Sequence, residues 1–352
     1  MAKQWRNAVV GVGVVGTWHA RTISAMSNAT LVCGCDKEPD KVRERLAKYN
    51  LEGTKIYTDI REMLSKEQID VVHVCTPSGD HLDPCVTSMD MGKHVICEKP
   101  MEIQLDRIDK IIAASKKHNV KLAGIFQNRW NRANAALRKA AQENRFGRLS
   151  FAGCYTEWWR TDEYYREGGW RGTWKWDGGG AIMNQSVHAV DLLQWIAGPV
   201  KTVTAHASAR IHKEIEVEDT LACSLTFENG AHGVIVGTTG MYPGIPVRLE
   251  IGGENGTAVS ESGLTVWKFR DAQPEDEELK ASLTSGSAPT GGGTSNIDVA
   301  LDLHFQNITS ILDAWERGED APTNGEEARK AVAIILAMYE SARKGGAPVE
   351  VK

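Results

Sequence analysis

The sequence predicts a two-domain α/β protein: a doubly wound parallel sheet, followed by a domain with a mostly antiparallel sheet. Three observations predict this fold class. The chain has 352 residues, enough for about two domains. Short apolar runs alternate with helical patterns up to about residue 125, which is typical of parallel βαβ units. Strand-like runs separated by turns dominate from about residue 151, which favours antiparallel pairing. We therefore expect domains at 1–125 and 126–352.

The individual elements follow from these patterns. Strands are predicted in the first domain at 8–12, 31–35, 71–75, 94–97 and 121–125, with helices between them. In the second domain the predicted strands are 202–211, 221–227, 233–239, 247–251 and 264–269, and the predicted helices are 131–144, 304–317 and 326–344. Residues 284–295 are rich in Gly, Ser and Thr and predict a mobile loop.

Composition excludes several classes of protein. Hydrophobic residues make up 41% and charged residues 25%, as in ordinary globular chains. The net charge is −5 with no basic block, so we expect no nucleic-acid partner. The glycine-punctuated apolar stretch at 8–15 is far shorter than the roughly 18 residues of a membrane span, so we expect no membrane association.

The cysteines point to a reducing compartment. There are seven, an odd and scattered set without a C-x-x-C pair: Cys33, Cys35, Cys75, Cys85, Cys97, Cys154 and Cys223. This pattern predicts neither a disulfide framework nor a metal site, and most of the set lies in strand-like apolar runs. We therefore expect a cytoplasmic protein that holds no metal.

A glycine-rich turn follows the first predicted strand. Gly11, Gly13 and Gly16 have the G-x-G-x-x-G spacing and open a predicted helix. In this context Gly11 permits a tight turn, Gly13 lets the backbone approach a pyrophosphate, and Gly16 lets helix and strand pack closely. The free N–H groups at the helix start would then attract the phosphates of a dinucleotide.

Asp36 ends the second predicted strand, 20 residues after the last glycine of the turn. Its carboxylate can accept hydrogen bonds from both ribose hydroxyls and would repel a 2′-phosphate, so NAD is favoured over NADP. The neighbouring Lys37 leaves NADP possible.

Two further clusters carry side chains suited to proton transfer. Glu98, Lys99 and Pro100 follow the strand at 94–97, at the carboxyl edge of the sheet where open α/β folds bind ligands. A lysine there can hydrogen-bond a substrate hydroxyl. Three glycines at 178–180 precede a predicted helix that ends at Gly198.

Three polar residues of that helix, Asn184, His188 and Asp191, are spaced to share one face. Such a polar stripe is either solvated surface or the wall of a polar cavity.

Taken together, these motifs resemble the glucose–fructose oxidoreductase and inositol dehydrogenase family, written Gfo/Idh/MocA. The resemblance covers nearly the whole chain. It rests on the glycine turn with His19, on Thr76-Pro77 with His81, on the segment from Gly92 to Pro100, and on the glycines at 178–180 with His188 and Asp191. The family implies a Rossmann domain at 1–125, an α+β substrate and oligomerisation domain with a large open sheet at 126–352, and NAD(P)-dependent oxidation of sugars or polyols.

The resemblance also assigns candidate residues. Lys99 matches the lysine of the family's E-K-P motif, and His188 matches the histidine usually treated as its acid/base, with Asn184 as the third catalytic candidate. The expected cofactor-binding residues are Gly11, Gly13, Val14, Val15, Gly16, Asp36, Lys37, Thr76, Pro77, His81, Glu98, Lys99 and Gln127. The expected substrate-binding residues are Lys99, Arg129, Trp130, Arg160, Trp170, Trp174, Asn184 and His188.

One position departs from the family pattern. Inositol dehydrogenase-like members have an aspartate where this chain has Asn184. A neutral amide can orient His188 or a substrate hydroxyl, but it cannot stabilise an imidazolium as a carboxylate does. This difference disfavours inositol as the substrate and leaves oxidation of a sugar ring hydroxyl open.

The segment 155–177 is unusually aromatic, with five of the eleven tryptophans in the chain. Aromatic faces pack well on pyranose rings, so Trp170 and Trp174 are candidates for a sugar platform, although packing against the core or another subunit explains them equally well. The basic and acidic residues of the segment nearly cancel. A single arginine such as Arg160 can still select a carboxylate, phosphate or sulfonate on the substrate.

We expect an NAD-dependent dehydrogenase of a sugar or sugar derivative. One alternative is an NAD-dependent glycoside hydrolase, which oxidises its substrate transiently, eliminates the aglycone and returns the hydride. Another is a non-enzymatic sugar or nucleotide sensor, which the presence of both Lys99 and His188 disfavours. An open sheet exposes apolar surface, so we also expect a homodimer or homotetramer.

Overall fold

The computed structural model describes residues 3–284 and 297–352. The predicted loop at 284–295 lies outside the described residues except for Thr284, which ends a helix. The chain divides into two compact units. The first comprises Met1–Gln127 and Leu301–Arg329, and the second comprises Asn128–Ala300 and Lys330–Lys352.

The first unit is built on a parallel sheet, as predicted, and this sheet has six strands. The strands are β1 Trp5–Val10, β2 Ala29–Cys35, β3 Lys55–Tyr57, β4 Val71–Val74, β5 His94–Cys97 and β6 Leu122–Gly124. Their order is β3-β2-β1-β4-β5-β6, which is the doubly wound order of dinucleotide-binding domains. Strand β3 was not predicted, because three residues at a sheet edge are too few to show a pattern.

Five helices connect these strands: α1 Val14–Ala25, α2 Pro39–Ala47, α3 Ile60–Lys66, α4 Leu82–Asp90 and α5 Leu105–His118. The local sequence explains where α3 begins and where α5 ends. Asp59 caps α3 by accepting the Glu62 N–H at 2.7 Å. Asn119 ends α5 in the left-handed conformation with φ +50°.

A late segment of the chain completes this unit. It comes from α10 (Ile297–Glu316) and from the start of α11 (Gly325–Arg343). Trp315 packs edge-on against Trp5 with ring centroids 6.2 Å apart. Thr323 hydrogen-bonds Gly124 in both directions at 2.7 Å. Residues 301–329 therefore pack with the first unit, although the expected boundary assigned them to the second domain.

The second unit is built on an eight-stranded sheet. Its strands are β7 Leu149–Glu157, β8 Val200–Ser208, β9 Thr220–Phe227, β10 His232–Thr238, β11 Arg248–Gly253, β12 Gly256–Glu261, β13 Leu264–Phe269 and β14 Val349–Glu350. Their order is β13-β12-β11-β7-β10-β9-β8-β14. Every neighbouring pair is antiparallel except β7 with β10. This arrangement confirms the predicted large, mostly antiparallel sheet.

The remaining helices are α6 Arg132–Gln142, α7 Asp162–Arg166, α8 Val187–Ala197 and α9 Asp276–Thr284. Helix α8 packs against β7 and β11 of the sheet. It is the helix that carries His188, and most of its side chains are buried, so packing fixes its position. Among the described helices, none is long and apolar enough to cross a membrane.

Candidate functional site

The glycine turn has the geometry that its sequence predicts. Gly11 has φ +83°, and a Cβ there would lie 2.7 Å from the backbone of Cys75. A Cβ on Gly16 would lie 2.1 Å from the Gly11 carbonyl oxygen, so only glycine allows this approach of helix to strand. Nothing lies within 4 Å of the Cβ position of Gly13, which leaves this side of the turn open to a ligand.

The surroundings of the turn fit a nicotinamide dinucleotide. Helix α1 begins at Val14, which is 59% exposed, and no side chain caps its first N–H groups. Such a helix start binds phosphate oxygens. Val15 is half-buried on the same turn. Gln127 Oε1 is buried with no hydrogen-bond partner among the described residues, so an acceptor remains for a ligand amide or hydroxyl.

Asp36 is fixed in place at the end of β2. Its carboxylate accepts the Val12 N–H at 2.8 Å and the Glu38 N–H at 2.9 Å. Each carboxylate oxygen keeps a further lone pair that can accept a ribose hydroxyl. Lys37 is exposed beside it. The carboxylate thus joins the glycine turn to the predicted ribose-binding position.

His81 connects the loops that follow β4 and β5. Its Nε2 lies 2.8 Å from the Thr76 carbonyl oxygen, and its Nδ1 lies 3.0 Å from that of Pro100. Thr76 and Pro77 are half-buried on the first loop. Because both ring nitrogens face backbone oxygens, His81 holds the two loops together, and direct contact of its ring with the cofactor stays a prediction.

Lys99 is half-buried directly after β5, and its peptide bond to Pro100 is cis. The Lys99 N–H donates to Glu98 Oε2 at 3.0 Å. The Glu98 side chain is buried and points away from solvent. The carboxylate therefore holds the backbone from which the Lys99 side chain extends.

Behind Glu98 lies a buried polar network that sequence reasoning missed. Glu98 Oε1 is 2.9 Å from His19 Nε2 and 3.4 Å from His304 Nε2. His19 Nδ1 is 2.8 Å from His73 Nδ1, and His73 Nε2 is 3.0 Å from Asn7 Oδ1. Burial alone would raise the pKa of the Glu98 carboxyl, but the hydrogen bonds and charges of His19 and His304 hold it well below its usual value.

Three members of this network have the composition of a metal site. His19, Glu98 and His304 each place one donor atom within 4.8 Å of the others. Here the groups satisfy one another by direct hydrogen bonds. The expectation that the protein holds no metal stays a prediction.

In the second unit, the glycines at 178–180 are held by a buried carboxylate. Glu218 accepts the Gly180 N–H at 3.0 Å, the Ile182 N–H at 2.9 Å and the Tyr339 hydroxyl at 2.8 Å. A Cβ on Gly180 would lie 1.9 Å from the Glu218 carbonyl oxygen. Burial raises the pKa of the Glu218 carboxyl to about 7.

The helix after these glycines starts with an unusual turn. Residues Ala181–Ser186 form a π-helical turn that continues into α8. This wide turn carries Asn184, whose Nδ2 donates to Asp177 Oδ1 at 2.5 Å. Asp177 is buried, and its Oδ2 accepts the Gly172 N–H at 2.8 Å. A carboxylate therefore lies beside position 184 after all, and it is supplied by Asp177.

His188 is half-buried in the first turn of α8. Asp191, predicted to share its polar face, is buried and binds the Arg129 guanidinium at 2.8 and 2.6 Å. Arg129 is only 5% exposed, and this ion pair ties α8 to the segment before α6. The ion pair thus accounts for Arg129 structurally, and substrate binding by Arg129 and the half-buried Trp130 stays a prediction.

The aromatic segment has several distinct environments. Trp174 is 44% exposed and packs edge-on against Tyr339 at 5.4 Å, while Trp170 is half-buried. Arg160 is half-buried, lies 4.9 Å from the Trp158 ring and donates to Gln185 Oε1 at 2.9 Å. Gln185 is the neighbour of Asn184, so Arg160 is attached to the turn that leads to His188.

Both halves of the chain are similar in sequence to known proteins. Residues 5–126 match the model of an oxidoreductase family described as having an NAD-binding Rossmann fold, and residues 134–259 match the GFO/IDH/MocA C-terminal domain. A myo-inositol 2-dehydrogenase of Thermotoga maritima is 28% identical over 344 residues, covering 96% of each chain. A D-apiose dehydrogenase of Paraburkholderia graminis is 24% identical and covers 97% of this chain and 89% of its own.

A solved structure agrees with these matches. The WlbA dehydrogenase of Bordetella pertussis, in complex with NADH and UDP-GlcNAcA, superposes with a TM-score of 0.89 at 30% identity, covering 99% of this chain and 98% of that one. The predicted family, fold class and NAD-binding oxidoreductase class are thereby confirmed. The chain belongs to the Gfo/Idh/MocA family of oxidoreductases with an NAD-binding Rossmann fold.

Proposed function

We propose that this protein oxidises a secondary hydroxyl of a sugar or sugar derivative and passes the hydride to NAD. The open glycine turn, which has Asp36 hydrogen-bonded to its Val12 N–H, carries the proposal. Two of the relatives named above are dehydrogenases of a cyclitol and of a pentose, which supports a polyhydroxylated substrate. NAD, when bound, supplies the ring carbon that accepts the hydride.

Lys99 and His188 have different roles at the substrate hydroxyl. The Lys99 ammonium donates a hydrogen bond to the hydroxyl oxygen, which favours loss of its proton. The His188 imidazole accepts that proton as general base. The alcohol thus loses one hydride and one proton to become a ketone. Asn184, held by Asp177, orients the histidine or a neighbouring hydroxyl.

The first substrate to test is a nucleotide-linked sugar acid. The WlbA dehydrogenase of Bordetella pertussis was solved with UDP-GlcNAcA, and its identity to this chain is 30% over nearly the full length of both. The presence of Asn184 where inositol dehydrogenase-like members have aspartate supports a sugar ring over inositol.

The experiment compares purified wild type with Lys99→Ala and His188→Ala, using NADH absorbance in the presence of NAD, UDP-GlcNAcA and a panel of free sugars. Each variant should lose activity by about 100-fold or more. Lys117→Ala and His232→Ala are matched controls, because both residues are exposed, and they should retain wild-type rates. Wild-type turnover in both active-site variants would contradict the assigned roles.

We further propose a cytoplasmic homo-oligomer. The seven free cysteines support a reducing compartment. In the second unit, Trp174, Met241 and Tyr242 are 44%, 39% and 78% exposed, and burial against a second copy would cover them. Light scattering during size-exclusion chromatography should give the mass of a dimer or tetramer, and a monomer mass would contradict the proposal.

A further inference from the structure

Two guanidinium groups flank one aromatic ring in the second unit. The guanidinium carbon of Arg160 lies 5.2 Å from the Tyr164 ring centroid, and that of Arg171 lies 4.4 Å from it. Arg160 also stacks on Trp158. The aromatic rings fix the positions of the two cations and remove part of their hydration.

These two positive charges are poorly neutralised. Arg160 forms no ion pair with any residue that the structure describes. The carboxylate of Glu167 is 4.0 Å from Arg171 and its side chain is 78% exposed, so it is a weak partner. Nearby Arg166 differs, because it binds Glu214 through two hydrogen bonds of 2.8 and 3.0 Å. Neither Arg160 nor Arg171 is therefore held in a close ion pair by the residues that the structure describes.

Several N–H groups of Arg160 are not engaged in short hydrogen bonds with the described residues. Its Nη2 donates to Gln185, and its Nη1 makes only a long 3.4 Å contact with the Trp159 carbonyl oxygen. Its Nε is buried and has no partner among the described residues. A guanidinium has five N–H donors in a fork that matches an oxyanion. The protein thus leaves most of this fork unsatisfied.

Arg160 is hydrogen-bonded to the π-helical turn at Ala181–Ser186. Gln185 accepts from Arg160 and donates from Nε2 to the Tyr164 hydroxyl at 2.7 Å. The preceding residue is Asn184, and the π-helical turn that holds both leads into α8. An anion bound at Arg160 would therefore lie beside the turn that leads to His188.

We propose that Arg160 binds an oxyanion of the substrate and makes the enzyme select acidic sugars over neutral ones. This inference rests on the proposed function. The oxyanion is a carboxylate or a phosphate, because the guanidinium fork fits both. Arg160 acts as a specificity residue and takes no part in the transfer of hydride or proton.

The test uses matched substrates that differ in one group. Glucuronate and glucose differ by a carboxylate, and glucose 6-phosphate and glucose differ by a phosphate, so the neutral member of each pair carries no oxyanion. Both kcat/KM with NAD and binding to the NADH-loaded protein by calorimetry are measured for wild type, Arg160→Met and Arg160→Lys. Arg166→Met is the control, because it removes a neighbouring arginine that Glu214 already neutralises. Melting temperatures establish that all variants are folded.

Wild type should prefer one acidic member of a pair by about 10- to 100-fold, the effect of a charge-assisted hydrogen bond. Arg160→Met should lower kcat/KM more for the acidic sugar than for the neutral one and so abolish that preference, and Arg160→Lys should restore part of it. Preference for glucuronate over glucose would identify a carboxylate site, and preference for glucose 6-phosphate over glucose a phosphate site. Loss of the preference in Arg166→Met as well would overturn the assignment to Arg160.

The two proposals fail in different ways. If acidic and neutral sugars are oxidised and bound equally well, the oxyanion site is refuted and the dehydrogenase stands. If no sugar is oxidised but the acidic ligand still binds more tightly in an Arg160-dependent manner, the oxyanion site stands and the proposed function is refuted. If binding shows no preference for either acidic ligand, the oxyanion site is refuted whatever the turnover.

Discussion

Glu98 and His19 form a buried hydrogen bond of 2.9 Å directly behind Lys99. The direction of the hydrogen bonds in this network follows from Asn7, the residue farthest from Glu98. Asn7 Nδ2 donates to the Trp5 carbonyl oxygen at 2.9 Å, so its Oδ1 accepts from His73 Nε2. His73 then accepts from His19 Nδ1. The contact between His19 Nε2 and Glu98 Oε1 therefore also contains a proton, which either His19 or Glu98 carries.

Replacing His19 by Leu should destabilise the protein by about 3 kcal/mol, because removing one partner leaves the Glu98 carboxylate buried with fewer donors. Urea unfolding measures this free energy. His118→Leu is the control, because its contact with Asp90 is part-exposed, and it should stay within about 1 kcal/mol of wild type. Equal stability of the two variants would show that the buried hydrogen bond contributes little.

The same network should affect catalysis through the backbone of Lys99. Glu98→Gln keeps the size of the side chain but removes the charge that accepts the Lys99 N–H. We expect kcat to fall by about 10-fold, with a smaller change in the KM for NAD. A change confined to the KM for NAD would place the role of Glu98 in cofactor binding instead.

Asp177 and Asn184 should be exchangeable only as a pair. Asn184→Asp alone places two carboxylates at a contact of 2.5 Å, which raises the pKa of one of them and lowers kcat by about 10-fold or more. Asp177→Asn alone removes the charge. The double variant, Asp177→Asn with Asn184→Asp, restores one acid and one amide and should recover most of kcat. Additive losses in the double variant would refute this coupling.

Asp36 should determine the choice of cofactor. Asp36→Ser removes the charge that repels a 2′-phosphate and shortens the group that accepts the Val12 N–H. We expect the ratio of kcat/KM for NAD over NADP to fall by about 10- to 100-fold. Steady-state rates with both cofactors measure the ratio, and Asp40→Ser, an exposed acid on α2, should leave it unchanged. An unchanged ratio in Asp36→Ser would locate cofactor selection elsewhere.

Local patterns predicted much of the fold and part of the site. The glycine turn, Asp36 and Lys99 follow from motifs because each lies within a few residues of a strand end. The partners of Glu98 could not be predicted, since His19 is 79 residues away in sequence and only the packed sheet brings them together. The π-helical turn was also missed, because hydrophobic periodicity does not distinguish it from an α-helix. An acid directly before the glycines at 178–180 was the available signal for Asp177.

Glu218 should make stability depend on pH near neutrality. Burial raises the pKa of this carboxyl to about 7 in the folded state, while the unfolded chain has an ordinary value of about 4.3. The folded state therefore binds the proton more tightly. The stabilisation is fully present below the unfolded pKa and is lost as pH rises through the folded pKa.

Between about pH 4 and pH 8 this group should lower the free energy of unfolding by about 3 kcal/mol. Urea unfolding across that range, compared between wild type and Glu218→Gln, isolates the contribution, because glutamine keeps an acceptor for the Ile182 N–H and does not titrate. The difference in the free energy of unfolding between wild type and Glu218→Gln should change with pH and level off above about pH 8. A constant difference would mean that Glu218 is ionised throughout, and that its four hydrogen bonds from Gly180, Ile182 and Tyr339 outweigh its burial.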